Sequence, residues 1–232
     1  MTLNKKVLVA LDSNNYNETE DLIDLIKNHI FGVKIGYEFF FNFGLTGYKK
    51  IQDKNINIFL DLKLHDIPNT IKHGINAIAD LNPYFTTVHI AGGDEMLKMA
   101  FLNKKKIKIL GVTALTSLNN HQIQKYYLRE NAKKLVSDYV SYAIKNKIDG
   151  IVCSPLEIKT VKKISGNNLL IVTPGVRPSY YKKNDDQERI MSPGEAISLG
   201  ANYLVIGRPI TKSSDPIKEI ININSEIEKS EN

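Results

Sequence analysis

The chain has little cysteine, little arginine and no long apolar run. One cysteine, Cys153, in 232 residues excludes a disulfide framework within the chain and suits a reducing compartment. No Cys/His cluster carries zinc-site spacing, so no metal is expected. No apolar stretch approaches the ~20 residues that span a bilayer, and the N-terminus has no secretory apolar segment with a cleavage site. The expectation is a soluble, cytoplasmic protein. No GxGxxG follows the first apolar run, which argues against a dinucleotide fold. Net charge is +6, yet only four of the basic residues are arginine: Arg129, Arg177, Arg189 and Arg208. The densest basic run, Lys104-Lys105-Lys106 with Lys108, has no aromatic platform or nucleic-acid motif beside it. It reads as a solvated loop before a strand, with no nucleic-acid partner.

What the chain does have is rhythm. Apolar runs rich in Val and Ile recur at Val7–Leu11, Gly32–Ile35, Ile56–Leu62, Thr87–Ile90, Ile107–Val112, Gly150–Cys153, Leu169–Val172 and Tyr203–Ile206. Most are apolar throughout rather than alternating, as parallel strands buried on both faces are. Helical patterns lie between them. Asn17 is placed to cap a helix bearing Leu22, Ile23, Leu25 and Ile26; Asn69 or Thr70 to cap one bearing Ile71, Ile75, Ile78 and Leu81. Lys133–Lys147 carries a further apolar stripe. Ser192-Pro193-Gly194-Glu195 is a capping box with proline at the first helical position, and Gly200 can end that helix. A last helix is expected from Asp215. Eight strands alternating with helices predict a single (β/α)8 TIM barrel over residues 1–232, with a doubly wound open sheet as the alternative.

Barrel enzymes carry their chemistry at the C-terminal ends of the strands. Those ends read Asp12, Lys34, Asp61 with Lys63, His89, Thr113, Ser154, Pro174-Gly175 and Gly207-Arg208. Charged groups are costly beside a buried barrel unless they are paired, so their convergence here points to a charged substrate. The densest site is Asp61-Leu62-Lys63-Leu64-His65-Asp66. Strand periodicity sends Asp61 and Lys63 to one face, with a second acid three residues on. Gly207-Arg208 ends the eighth run, where this fold commonly binds phosphate; arginine grips phosphate through two parallel hydrogen bonds. Gly175 to Met191 forms a long polar loop containing Arg177, Tyr180-Tyr181 and Gln187, long enough to close over a ligand. Thr113, Thr116 and Ser117 offer hydroxyls to a polar heterocycle. Phe39-Phe40-Phe41 with Phe43 reads as core or interface packing, and Cys153 as an inert buried thiol.

Taken together, these segments resemble the orotidine 5′-phosphate decarboxylase family, its bacterial branch in particular, from Val7-Leu8-Val9-Ala10-Leu11-Asp12 to Asp215-Pro216. The D-x-K-x-x-D hallmark is Asp61, Lys63 and Asp66. Leu110-Gly111-Val112-Thr113 with Leu115-Thr116-Ser117, Thr173-Pro174-Gly175-Val176-Arg177-Pro178 and Val205-Ile206-Gly207-Arg208-Pro209-Ile210 are similar to that branch. Ile90-Ala91-Gly92-Gly93 departs from its Ala-Ser-Gly-Gly. The resemblance implies a cofactor-independent homodimer that converts orotidine 5′-monophosphate to UMP and CO2. It implies Lys34, Asp61 and Lys63 as catalytic residues, with Asp66, Ile67 and Thr70 reaching into the partner's site. Asp12 and Lys34 would bind ribose, Thr116 the pyrimidine edge, and Gln187, Gly207 and Arg208 the phosphate. Pro174 would line the site and Arg177 hold the closing loop. The alternatives are a magnesium-dependent sugar-phosphate enzyme of the same superfamily and a catalytically silent nucleotide-binding barrel. The former typically has an acidic metal ligand on strand two, where this chain has Lys34.

Overall fold

The structure is a computed structural model that describes residues 5–181 and 191–231. Eight parallel strands close in chain order: β1 (Val7–Ala10), β2 (Gly32–Ile35), β3 (Asn57–Leu64), β4 (Phe85–His89), β5 (Lys108–Val112), β6 (Gly150–Val152), β7 (Leu170–Pro174) and β8 (Tyr203–Ile206), with β8 paired back to β1. Helices α1 (Tyr16–Ile26), α2 (Tyr37–Gln52), α3 (Pro68–Leu81), α4 (Asp94–Asn103), α5 (Asn120–Tyr127), α6 (Ala132–Lys145), α7 (Ile158–Ser165), α8 (Pro193–Ser198), α9 (Arg208–Thr211) and α10 (Pro216–Glu231) lie between and after the strands. This is the (β/α)8 barrel that the sequence predicts; the open sheet is ruled out by closure.

Alternation along the strands separates two cores. On β1, Val7 and Val9 join Ile23, Ile35, Ile206 and Ile220 in the layer between sheet and helices, while Leu8 and Ala10 point into the barrel with Phe59, Phe85, Leu110, Val172 and Val205. The N-terminal end is plugged by rings: Phe31 packs on Tyr203 at 4.4 Å and on Tyr84 at 5.0 Å, and Phe85 on Phe59 at 5.8 Å. With that end filled, Asp12, Lys34, Asp61 and Lys63 gather at the C-terminal mouth.

Local signals set the helix starts, with two corrections. Asn15, not Asn17, caps α1: its side chain accepts from the Glu18 N–H at 3.3 Å and donates to the Glu18 carboxylate at 2.8 Å. α3 begins at Pro68 with Ile67 as its cap residue, because proline's fixed φ suits the first helical position; Asn69 and Thr70 therefore lie inside the first turn. The Ser192–Glu195 box forms as expected, and Gly200 follows α8 at φ +111°, a conformation that glycine adopts without strain. Two members of the lysine run are paired locally: Lys104 with Asp149 at 2.9 Å and Lys105 with Asp80. Phe39 is fully buried, while Phe41 is 76% exposed and stacks on Tyr37, so the phenylalanine cluster is only partly core.

Candidate active site

The barrel mouth opens on a cavity of about 300 Å³ lined by Asp12, Lys34, Asp61, Lys63, Pro174, Gly175, Arg177, Gly207 and Arg208, among others. Five different strand ends and the turns after them thus bring most of the candidate residues to one place. On its floor the charges alternate in a line. Lys34 Nζ lies 3.5 Å from Asp12 Oδ1 and 3.7 Å from Asp61 Oδ2, and Lys63 Nζ lies 2.8 Å from the same Asp61 oxygen. Asp61 is buried, and these two ammonium groups pair with its carboxylate. Gly36 makes room for this line: a Cβ there would come within 2.9 Å of Lys34 Nζ.

Lys63 reaches Asp61 by a route that simple strand alternation does not describe. The β3–β4 register jumps between Leu60↔Thr86 and Leu64↔Val88, leaving Asp61, Leu62 and Lys63 opposite the single residue Thr87. Lys63 adopts φ +46°, in the left-handed region that a lysine rarely occupies. Thr87 spans the bulge. Its Oγ1 accepts from the Lys63 N–H at 2.8 Å and donates to Asp61 Oδ1 at 3.0 Å. Nothing in the sequence singles out Thr87: it is one of two adjacent threonines on β4, and Thr86 instead donates to the Leu60 carbonyl at 3.0 Å. Tyr37 also closes on the bulge, donating to the Leu62 carbonyl at 3.1 Å, with Lys63 Nζ 5.7 Å from its ring centroid. His89 stands 5.5 Å from His65, ring to ring; burial first, and then the positive charges of His65 and Lys63, hold its imidazole below its ordinary pKa.

Of the other candidates, Arg177 is buried, donates to the Val176 carbonyl and sits where Val176 bridges Met191. Gln187 lies outside the described residues. Tyr180 turns away from the cavity and donates to Glu219 on α10. Gly175 makes the turn out of β7 at φ +78°. Asp66, Ile67 and Thr70 are exposed and do not line the cavity of their own chain; the Asp66 carboxylate accepts from the Ile67 N–H at 2.7 Å. Thr116 and Ser117 are exposed on the turn after β5, and Thr113 instead donates to the Val152 carbonyl at 3.0 Å. Cys153 is buried, which pushes its thiol pKa well up and keeps it unreactive.

A closed (β/α)8 barrel with a paired ammonium–carboxylate array at its C-terminal mouth and arginines beside it defines a TIM-barrel enzyme. The comparisons make this specific. Residues 5–223 match the model of the orotidine 5′-phosphate decarboxylase / HUMPS family, and the chain belongs to that family. It is 41% identical over 212 residues to the orotidine 5′-phosphate decarboxylase of Wolbachia pipientis subsp. Culex pipiens, covering 90% of this chain and 93% of the relative. It is also 41% identical to the protein of that name from Staphylococcus saprophyticus, over 215 residues, again 90% and 93% of the two chains. The solved orotidine 5′-phosphate decarboxylase of Lactobacillus acidophilus superposes with a TM-score of 0.83 at 35% identity, covering 96% of this chain and 99% of that one.

Proposed function

We propose that this single barrel domain decarboxylates orotidine 5′-monophosphate to UMP and CO2, the last step of de novo pyrimidine synthesis, in the cytoplasm and without metal or organic cofactor. The observation that carries this reading is the line Asp12–Lys34–Asp61–Lys63 on the floor of a cavity that also holds Gly207, Arg208 and Arg177. Loss of CO2 from C6 leaves an electron pair in the plane of the pyrimidine ring, where the π system cannot accept it. A fixed ammonium beside C6 stabilises that charge and then supplies the proton, and Lys63 is the group placed to do so. Asp61, already paired to both lysines, faces the departing carboxylate and disfavours it before reaction. Lys34 and Asp12 take the ribose hydroxyls. Arg208, Gly207 and Gln187 take the phosphate, and Arg177 secures the loop. Remote phosphate contacts order the array and contribute to the roughly 8–23 kcal/mol that enzymes take off reaction barriers.

The active form is a homodimer. The exposure of Asp66, Ile67 and Thr70 away from their own cavity supports their service in the partner's site, and exposed Thr116 is free to turn to the pyrimidine edge. The magnesium-dependent sugar-phosphate reading is disfavoured by Lys34, whose ammonium fills the space between two carboxylates where a cation would sit. No group of three or more His, Cys, Asp or Glu suited to a metal occurs among the described residues. No helix among the described residues is long and apolar enough to cross a membrane.

The test is the fall in ultraviolet absorbance when orotidine 5′-monophosphate is added in excess EDTA. Turnover is expected at the same rate with and without the chelator. No turnover, or turnover lost in EDTA and restored by magnesium, would overturn the proposal.

A further inference from the structure

We infer that Thr87 is a positioning residue that sets both the Asp61 carboxylate and the Lys63 backbone. This rests on the decarboxylase reading and goes beyond it, since Thr87 lines no part of the substrate cavity described above. The argument comes from hydrogen-bond direction. A backbone N–H only donates, so Thr87 Oγ1 is the acceptor toward Lys63, at 2.8 Å. The hydroxyl has one proton, and that proton goes to Asp61 Oδ1, at 3.0 Å. Thr87 is fully buried, so water does not compete for either bond. Oδ1 is thereby fixed toward β4, and Oδ2 is left to face Lys63 at 2.8 Å and Lys34 at 3.7 Å.

Two otherwise loose features depend on this one hydroxyl. The terminal torsion of an aspartate is broad, so packing alone does not choose which oxygen faces the lysines. A lysine at φ +46° persists only where its surroundings hold it, and the three residues Asp61, Leu62 and Lys63 have only Thr87 opposite them on β4. Removing the hydroxyl takes the acceptor from the half-buried Lys63 N–H and frees the carboxylate together. Both reacting-end groups then shift relative to the substrate carboxylate, while ribose and phosphate contacts are untouched.

The experiment compares Thr87→Val, which keeps the side-chain shape, with Thr87→Ser, which keeps the hydroxyl. Thr87→Val is expected to lower kcat about 10- to 100-fold, as a misplacement of about 1 Å can. The Kd for UMP should stay within about threefold, which also reports a folded site, and Thr87→Ser should recover most of kcat. Should Thr87→Val not fold, Thr87→Cys gives the same contrast, because a thiol is only a weak donor and acceptor. A kcat in the hydroxyl-free variant within about threefold of wild type would overturn the inference. So would a loss shared equally with UMP binding and not recovered by serine, which would mark a merely structural role. A wild-type protein without turnover would instead remove the decarboxylase reading itself, so the two failures are distinguishable.

Discussion

Lys63→Ala should abolish decarboxylation, lowering kcat by ~10⁴-fold or more, while UMP still binds and the barrel stays folded. General acid catalysis is worth roughly 10²–10⁴ and a fixed charge at a developing anion roughly 10²–10³, and Lys63 is assigned both tasks. The fold should tolerate the change for two reasons. Asp61 keeps Lys34 at 3.7 Å and the Thr87 hydroxyl at 3.0 Å, so its buried charge is not left bare. Alanine at φ +46° is strained, but lysine at the same φ is strained as well, so the backbone cost is largely common to both. Absorbance kinetics with orotidine 5′-monophosphate, together with thermal melting and UMP titration, check the three parts. Near-normal kcat in a folded variant would remove Lys63 from the chemistry.

The second large effect is complementation between subunits. Lys63→Ala and Asp66→Asn homodimers should each be nearly inactive, yet a mixture allowed to exchange subunits should regain activity. Asp66 sits beyond the end of β3, exposed, with its carboxylate on the Ile67 N–H rather than on the Lys34–Asp61–Lys63 line. If it serves the neighbouring site, a mixed dimer gathers both lesions in one site and leaves the other intact. In a two-fold dimer with random re-pairing of equal amounts, half the dimers are mixed and about a quarter of all sites are restored. Activity is followed after exchange has been demonstrated with differently tagged subunits. Activity that stays at the level of the separate variants would place Asp66's action in its own subunit or nowhere.

The legible part of this molecule was the part written locally. The strands announced themselves because both faces of each are buried, and Ser192-Pro193-Gly194-Glu195 folded as a capping box because its partners are three residues apart. The charged strand ends could be assigned to one mouth once closure was inferred, and Asp12, Lys34, Asp61, Lys63 and Arg208 do line one cavity. Asn15 and Asn17 illustrate the limit of such signals: two asparagines two residues apart offer the same cap, and only the Glu18 contacts decide between them. The bulge at Lys63 was not legible, because it arises from pairing with Thr87, 24 residues away, and nothing within Asp61-Leu62-Lys63 marks it. Thr113 looked like a ligand donor by position, but its hydroxyl is spent on the Val152 carbonyl of the neighbouring strand. For Asp66, Ile67 and Thr70 a single chain shows only exposure, and the proposed role across a dimer rests on the complementation test above.

The central claim is that Lys63 holds an ammonium against C6 and exchanges a proton with it. The direct measurement uses the reverse direction of that proton transfer: UMP is incubated with the protein in deuterium oxide and its C6–H signal is followed by NMR. The wild-type protein should replace that hydrogen with deuterium faster than buffer alone, and Lys63→Ala, still binding UMP, should not. Exchange at the same rate in both proteins would contradict the account.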